Sequence, residues 1–285
     1  MNELRDLQLK GLEILLYFKK FCEENNLKFY LCGGCCIGAI RHEGFIPWDD
    51  DVDVFMPRSD YEKLHVLWDR LADTKRYECV YMKKDNLCRQ IFTTISDAST
   101  TMIKPDHEDL DIPHGVTIDV FPLDGCPESR IKRYSQMFWA LIYSLYFAQV
   151  VPKNHGTGIE LIGKFMLNIV PSEKYRYKIG KFAEKNMSKY SIADCKYITE
   201  LCAGPHYMKN EYPKEIFSGA VYKEFEGYKL PLPKGYDDYL HIAFGDYMKL
   251  PPKEKQIPHH DAIFLDLTTG YKNYKGKYYC KGDRK

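Results

Sequence analysis

"GFIPWDDDVDVFMP", Gly44 to Pro57, places four aspartates in five positions and then passes directly into a β-branched and aromatic run. Like charges this close repel one another, so the cluster needs a reason. Side chains alternate along a strand, so in "DVDVFM" (51–56) Asp51 and Asp53 share one face while Val52 and Val54 take the other. At about 3.3 Å per residue the two carboxylates stand roughly 6–7 Å apart, a spacing suited to one or two divalent cations. Val52, Val54 and Phe55 mark the strand as buried, which makes Asp51 and Asp53 costly as mere surface charges. Asp49 and Asp50, in the turn after Pro47, read instead as solvated acids.

A third acid lies further on. In "VTIDVFPLD", Asp119 stands between Ile118 and Val120, again a carboxylate in an apolar strand. If the two strands are neighbours, three carboxylates converge on one point; a strand-end acid capping a turn is the equally weighted alternative. Hard oxygen donors facing a phosphate-bearing substrate point to Mg2+ or Mn2+ held by Asp51 and Asp53, with Asp119 either completing the ligand set or taking the proton of an attacking hydroxyl. Upstream, "KFYLC" (28–32) reads as a strand broken by Gly33-Gly34, with "CCIGAIRHE" continuing as a helix. Such a junction offers backbone N–H groups at a helix N-terminus, a site for phosphate. Arg41 and His42 stand one to two turns on, placed either to contact phosphate oxygens or to complement the helix dipole at its C-terminus.

The remaining pattern is α/β (α+β). Leu4, Leu7, Leu12, Leu15 and Phe18 predict an amphipathic helix over 3–25, and a second helix follows Pro57. Strands are expected near 77–82, 90–96 and 115–121. From Pro127 to about Lys189 the pattern is helical; then "AVYKEFEGYKLPLP" alternates as a hairpin and "YDDYLHIAFGDYM" reads as a short helix. The expected organisation is a catalytic core (1–126), a helical insertion (127–190) and C-terminal strands and helix (191–285) completing one compact unit.

Composition narrows the function. The 285 residues carry 41 Lys+Arg against 40 Asp+Glu, a net charge of +1 without the basic excess of a nucleic-acid binder. Charges interrupt every apolar run near the N-terminus, unlike a secretory leader. The longest apolar stretch, Met137–Val151, is shorter than the ~20 residues of a spanning helix. It reads as a buried core helix, with contact at a membrane surface as the minor alternative. The expected location is therefore cytoplasmic, with peripheral contact at the inner face of the membrane left open. Ten cysteines, three of them in "LCGGCCIGAI", read as reduced thiols used as small core residues, with zinc as an outlying alternative.

Strand, Gly-Gly, helix, Asp-hydrophobic-Asp strand and a later strand Asp together resemble the nucleotidyltransferase fold of the polymerase-β-like superfamily, a mixed sheet with flanking helices. More narrowly, "LCGGCCIGAIRHEGFIPWDDDVDVFMPRSDYEKL" is similar to the signature of the LicD family of bacterial phosphocholine transferases. "TIDVFPLDG" and "YLHIAFGDYMKLPPKEKQIPHH" resemble two further blocks of that family. Fukutin-related ribitol-phosphate transferases share the acidic pattern, so the resemblance fixes the reaction type more tightly than the alcohol. It implies a metal pair at Asp51 and Asp53, a third acid at Asp119, and a phosphate side at Gly33, Gly34 and Arg41. A last block falls on Tyr239, Gly245, Asp246, Pro251 and His259 or His260, the histidines either contacting phosphate or capping the final segment. The implied reaction moves phosphocholine from CDP-choline, or another phospho-alcohol from its CDP ester, to a glycan hydroxyl with release of CMP; a lipid-linked acceptor is compatible with it. A triphosphate-dependent nucleotidyltransferase and a non-catalytic nucleotide binder are the alternatives.

Overall fold

The computed structural model describes residues 3–149, 157–258 and 262–281. It divides into two compact units, one formed by Met1–Val80, Thr94–Phe121 and Glu215–Lys285, the other by Tyr81–Thr93 and Pro122–Lys214. The helices of the 127–190 segment thus share their unit with 81–93 and with the strands that follow them up to Lys214.

The first unit opens with α1 (Glu3–Glu24), whose Leu7, Ile14, Leu15 and Phe18 are buried at helical spacing. β1 (Tyr30–Leu31), α2 (Gly33–Arg41), β2 (Asp53–Pro57) and α3 (Arg58–Leu71) follow. β3 (Tyr77–Val80), β4 (Thr93–Asp97), the short β5 (Thr101–Ile103) and the long β6 (Val116–Cys126) come next, and the boundary between the units falls inside β6. The sheet runs β1-β2-β6-β4-β3, so the strand bearing Asp119 lies beside the strand bearing Asp53. β1 and β2 are antiparallel, as are β3 and β4. β2 is central, and its Val54, Phe55 and Met56 are all buried, as its β-branched and aromatic composition requires.

The second unit holds α4 (Arg130–Ala148), α5 (Thr157–Ile169), α6 (Glu173–Met187), β7 (Tyr197–Glu200) and β8 (Tyr212–Pro213). Arg133, buried on α4, organises it. Its Nη1 donates to Gln136 at 2.8 Å, and its Nη2 donates to Thr199 at 2.9 Å and to the Met208 carbonyl. The Gln136 amide in turn donates to the Gly125 and Met187 carbonyls, both at 2.9 Å. A guanidinium this deep is tolerated because its two Nη groups are hydrogen-bonded and its charge is met by the Glu211 carboxylate, 3.4 Å from Nε, although Nε itself makes no hydrogen bond.

The chain then completes the first unit with β9 (Ala220–Phe225), β10 (Tyr228–Pro233), α7 (Tyr236–Phe244) and β11 (Phe264–Asp266). β9 and β10 form the expected hairpin. Its two turn residues, Glu226 and Gly227, both have positive φ, the twist-matched I′ geometry of two-residue hairpins. Glu226 also accepts from the Arg5 guanidinium (Nη1 at 2.9 Å) and from the Phe45 N–H at 3.1 Å, so the tip is tied to α1 and to the segment before the acids. β11 pairs antiparallel with β5, and Ile103, Tyr271 and Tyr279 form a small core beneath it. The chain is therefore α+β, a mixed sheet with flanking helices. Among the described residues no helix is long and apolar enough to cross a membrane.

Candidate active site

The acidic segment enters the sheet two residues later than its alternation predicts: β2 begins at Asp53, and Asp51 is an exposed residue just ahead of it. Two backbone bonds fix the segment. The Asp119 N–H donates to the Val52 carbonyl at 2.8 Å, and the Cys32 N–H donates to the Asp53 carbonyl at 3.1 Å. The first comes from β6 and the second from the β1–α2 junction, so Asp53 lies between the glycine turn and Asp119.

The carboxyls feel one another strongly. Burial, then the charges of Asp51, Asp119 and Asp49, hold the Asp53 carboxyl well above the usual carboxylate range. Asp119 is pushed up to about 6, chiefly by burial and further by Asp51, while Lys104 and a Thr117 hydrogen bond oppose the rise. One of its oxygens, Oδ1, is buried with no hydrogen-bond partner. Asp49 rises to about 8, first from burial and then from the charge and hydrogen bond of Asp51, with Asp50 adding and Arg41 opposing. Asp49 therefore belongs to the cluster and is not a solvated turn acid.

The glycine pair serves this cluster directly. Gly33, at φ +52°, makes the left-handed turn into α2, and a methyl there would lie 3.4 Å from Asp53 Oδ2. A methyl on Gly34 would lie 2.0 Å from Asp49 Oδ2, so any larger residue there would displace that carboxylate. The mouth of α2, where the helix dipole favours negative charge, is thus lined by the protein's own acids. The Gly33 N–H donates to the Tyr239 hydroxyl at 3.0 Å, which brings α7 to the same place.

Two cations face the acids. Lys104, half-buried just after β5, acts on both Asp53 and Asp119. Arg41 is held by the Tyr247 carbonyl (2.9 Å from Nη1) and by the ring of His42, which accepts from Arg41 Nε at 3.0 Å. Burial and the Arg41 charge lower the His42 pKa, so the ring is a neutral acceptor near pH 7 and positions Arg41. His259 and His260 lie outside the described residues. Cys32, Cys35 and Cys36 are buried beneath the site, and burial drives the Cys35 and Cys36 thiols well up, as suits core packing.

Among the described residues, no three His, Cys, Asp or Glu side chains form a ready-made metal cage. The donor chemistry nevertheless suits a hard divalent cation: oxygen ligands only, mutual repulsion that a cation relieves, and an orphaned oxygen on Asp119. Sequence reasoning missed Asp49 and Lys104. The triple-Asp run was the available signal for the first, whereas Lys104 after a three-residue strand carried none.

The sequence matches the family described as LicD/FKTN/FKRP, nucleotidyltransferase domain, over residues 26–127, the span that holds the acids and the glycine turn. It is 34% identical over 264 residues to the lipopolysaccharide cholinephosphotransferase LicD of Haemophilus influenzae, covering 90% of this chain and 96% of that protein. Shorter matches of 72 residues, at 35% and 29% identity, join it to the uncharacterized proteins RP689 of Rickettsia prowazekii and RT0683 of Rickettsia typhi. Each covers 24% of this chain, against 27% of the first protein and 23% of the second. With likeness to the Haemophilus protein running nearly end to end, and the acid cluster inside the matched domain, the chain belongs to the LicD family.

Proposed function

We propose that the protein is a phosphocholine transferase that takes phosphocholine from CDP-choline and places it on a hydroxyl of a cell-surface glycan or its precursor. The lipopolysaccharide named for the Haemophilus relative is the model for that acceptor. In the proposed reaction the acceptor oxygen attacks the phosphorus distal to cytidine and the bond to the bridging oxygen breaks. CMP leaves with that electron pair, and the hydroxyl proton passes to a carboxylate. Asp119, on the strand beside Asp53, is the carboxylate proposed to accept that proton. Asp51 and Asp53 would hold a Mg2+ or Mn2+ ion, with Asp119 beside them; such an ion supplies charge neutralisation for the diphosphate. Arg41 and Lys104 would bind and orient phosphate oxygens, and the mouth of α2 would limit where the donor lies.

The observation that carries this reading is the approach of Asp49 and Asp53 to the mouth of α2, with Asp51 and Asp119 within electrostatic reach of Asp53, in a chain alike nearly end to end to a named cholinephosphotransferase. The test is incubation with CDP-choline, CDP-ribitol and CDP-glycerol, each with Mg2+ or Mn2+, and in parallel with CTP and ATP. CMP release from CDP-choline above the other donors supports the proposal. CMP from another CDP-alcohol keeps the reaction and changes the alcohol. Pyrophosphate from a triphosphate replaces it with nucleotidyl transfer.

A further inference from the structure

Helix α4 buries one side and leaves the opposite side apolar. Arg133, Gln136, Ala140, Tyr143 and Phe147 face inward. Ile131, Tyr134, Phe138 and Leu141 recur at i, i+3, i+7 and i+10 and stand between 83% (Ile131) and 47% (Leu141) exposed. An exposed helix face normally carries charge; this one carries none between Lys132 and the helix end. The expectation of a wholly buried core helix therefore holds for one face only. α5 repeats the feature: Leu161, Phe165 and Ile169, each one turn from the next, are 67%, 64% and 61% exposed. On α6, Tyr175 and Phe182 are exposed as well.

The charge of the same helices is one-sided. α4 to α6 hold nine Lys and Arg against three Glu, in a chain whose net charge is +1. Arg133 and Arg176 are spent internally, Arg176 on the Gln149 side chain and the Leu167 and Val170 carbonyls. The other seven are exposed. Lys178 lies 5.5 Å over the ring of the exposed Tyr175, an aromatic and a cation side by side on α6.

We infer that the outer faces of α4 and α5, with the lysines of α6, form a docking surface for an anionic lipid bilayer. Apolar side chains of this size enter the acyl boundary, and flanking lysines extend their ammonium groups to acidic headgroups. The occupant follows from the charge: a second copy of the chain would bring the same cations against these, whereas an anionic surface neutralises them. This inference stands apart from the proposed chemistry, since binding to lipid is read without turnover.

The test is flotation of the full chain with vesicles of phosphatidylglycerol and phosphatidylcholine, or of phosphatidylcholine alone, at low and high salt. The wild-type chain floats with the anionic vesicles, and salt weakens that binding. Each cation near such a surface is worth about fivefold in partitioning, so losing two in Lys174→Glu with Lys178→Glu weakens binding at least about twenty-fivefold. Phe138→Ser with Leu141→Ser, both already exposed, weakens it about tenfold or more while circular dichroism stays unchanged. Wild-type chain that stays unbound to anionic vesicles, or variants that float as well as wild type, would overturn the inference. So would a wild-type dimer by light scattering that the Phe138 and Leu141 substitutions convert to monomer, which would assign the face to a second copy.

Discussion

Asp119→Asn isolates the electrostatic cost of the site. The Asp119 carboxyl rises from 3.8 to about 6 on folding. At about 1.4 kcal/mol per pH unit, the ionised group costs the folded chain about 3 kcal/mol. The sign follows from which state releases its proton first. Below about pH 4 the group is protonated both folded and unfolded and costs nothing. Between about pH 4 and pH 6 the unfolded chain loses its proton first, so folded stability falls; above about pH 6 the cost is constant. Asparagine cannot ionise, so the variant escapes this loss, although disturbing the Thr117 contact gives part of it back. For a chain of this size roughly 3 kcal/mol corresponds to about 6–12 °C in Tm. The assay is thermal unfolding of both proteins in EDTA from pH 4 to pH 8. The variant should be more stable by several degrees at pH 8, with the gap closing toward pH 4. A variant less stable than wild type at pH 8, or a gap independent of pH, would refute the claim that these acids meet in a shared, poorly solvated site.

Other consequences follow from the same geometry. Asp53→Asn should lower CMP release by on the order of 10²–10³-fold, with its circular dichroism unchanged; near-normal turnover in an EDTA-free assay would remove Asp53 from the chemistry. Gly34→Ala puts a methyl 2.0 Å from Asp49 Oδ2 and must displace that carboxylate. It should reduce activity with little change in denaturant unfolding, since the carboxylate can swing aside and alanine favours the helix by about 0.5–1 kcal/mol; unchanged activity would contradict the close approach. Arg133→Ala, in the second unit, strips donors from Gln136, Thr199 and the Met208 carbonyl. It should cost about 2–4 kcal/mol, read as a lower urea midpoint.

Much of the fold was legible because it is written in local period. The helical spacing of Leu4, Leu7, Leu12, Leu15 and Phe18 gave α1, and the alternation around Glu226-Gly227 gave the β9–β10 hairpin. Strand edges were less legible. The alternation of "DVDVFM" continues through Asp51, yet the strand runs only from Asp53, with a single backbone bond to β6 at Val52 ahead of it, because hydrogen-bond partners and not side-chain period decide where a strand starts. The β5–β11 pair joins residues more than a hundred positions apart through two three-residue strands, too short to show a period. The site was visible as types of residue rather than as an arrangement. Asp51, Asp53 and Asp119 stood out as acids in apolar runs. Asp49 did not, because its burial depends on the close approach at Gly34, and Lys104 reaches the acids only through the fold.

The account's core is that these carboxylates repel one another until a divalent cation lies among them. Crystals grown with Mn2+ and measured at a wavelength where manganese scatters anomalously test this directly. The account predicts an anomalous peak at ligand distance from both the Asp51 and Asp53 carboxylates, lost in Asp53→Asn. Ordered carboxylates with no peak between them at saturating Mn2+ would contradict it.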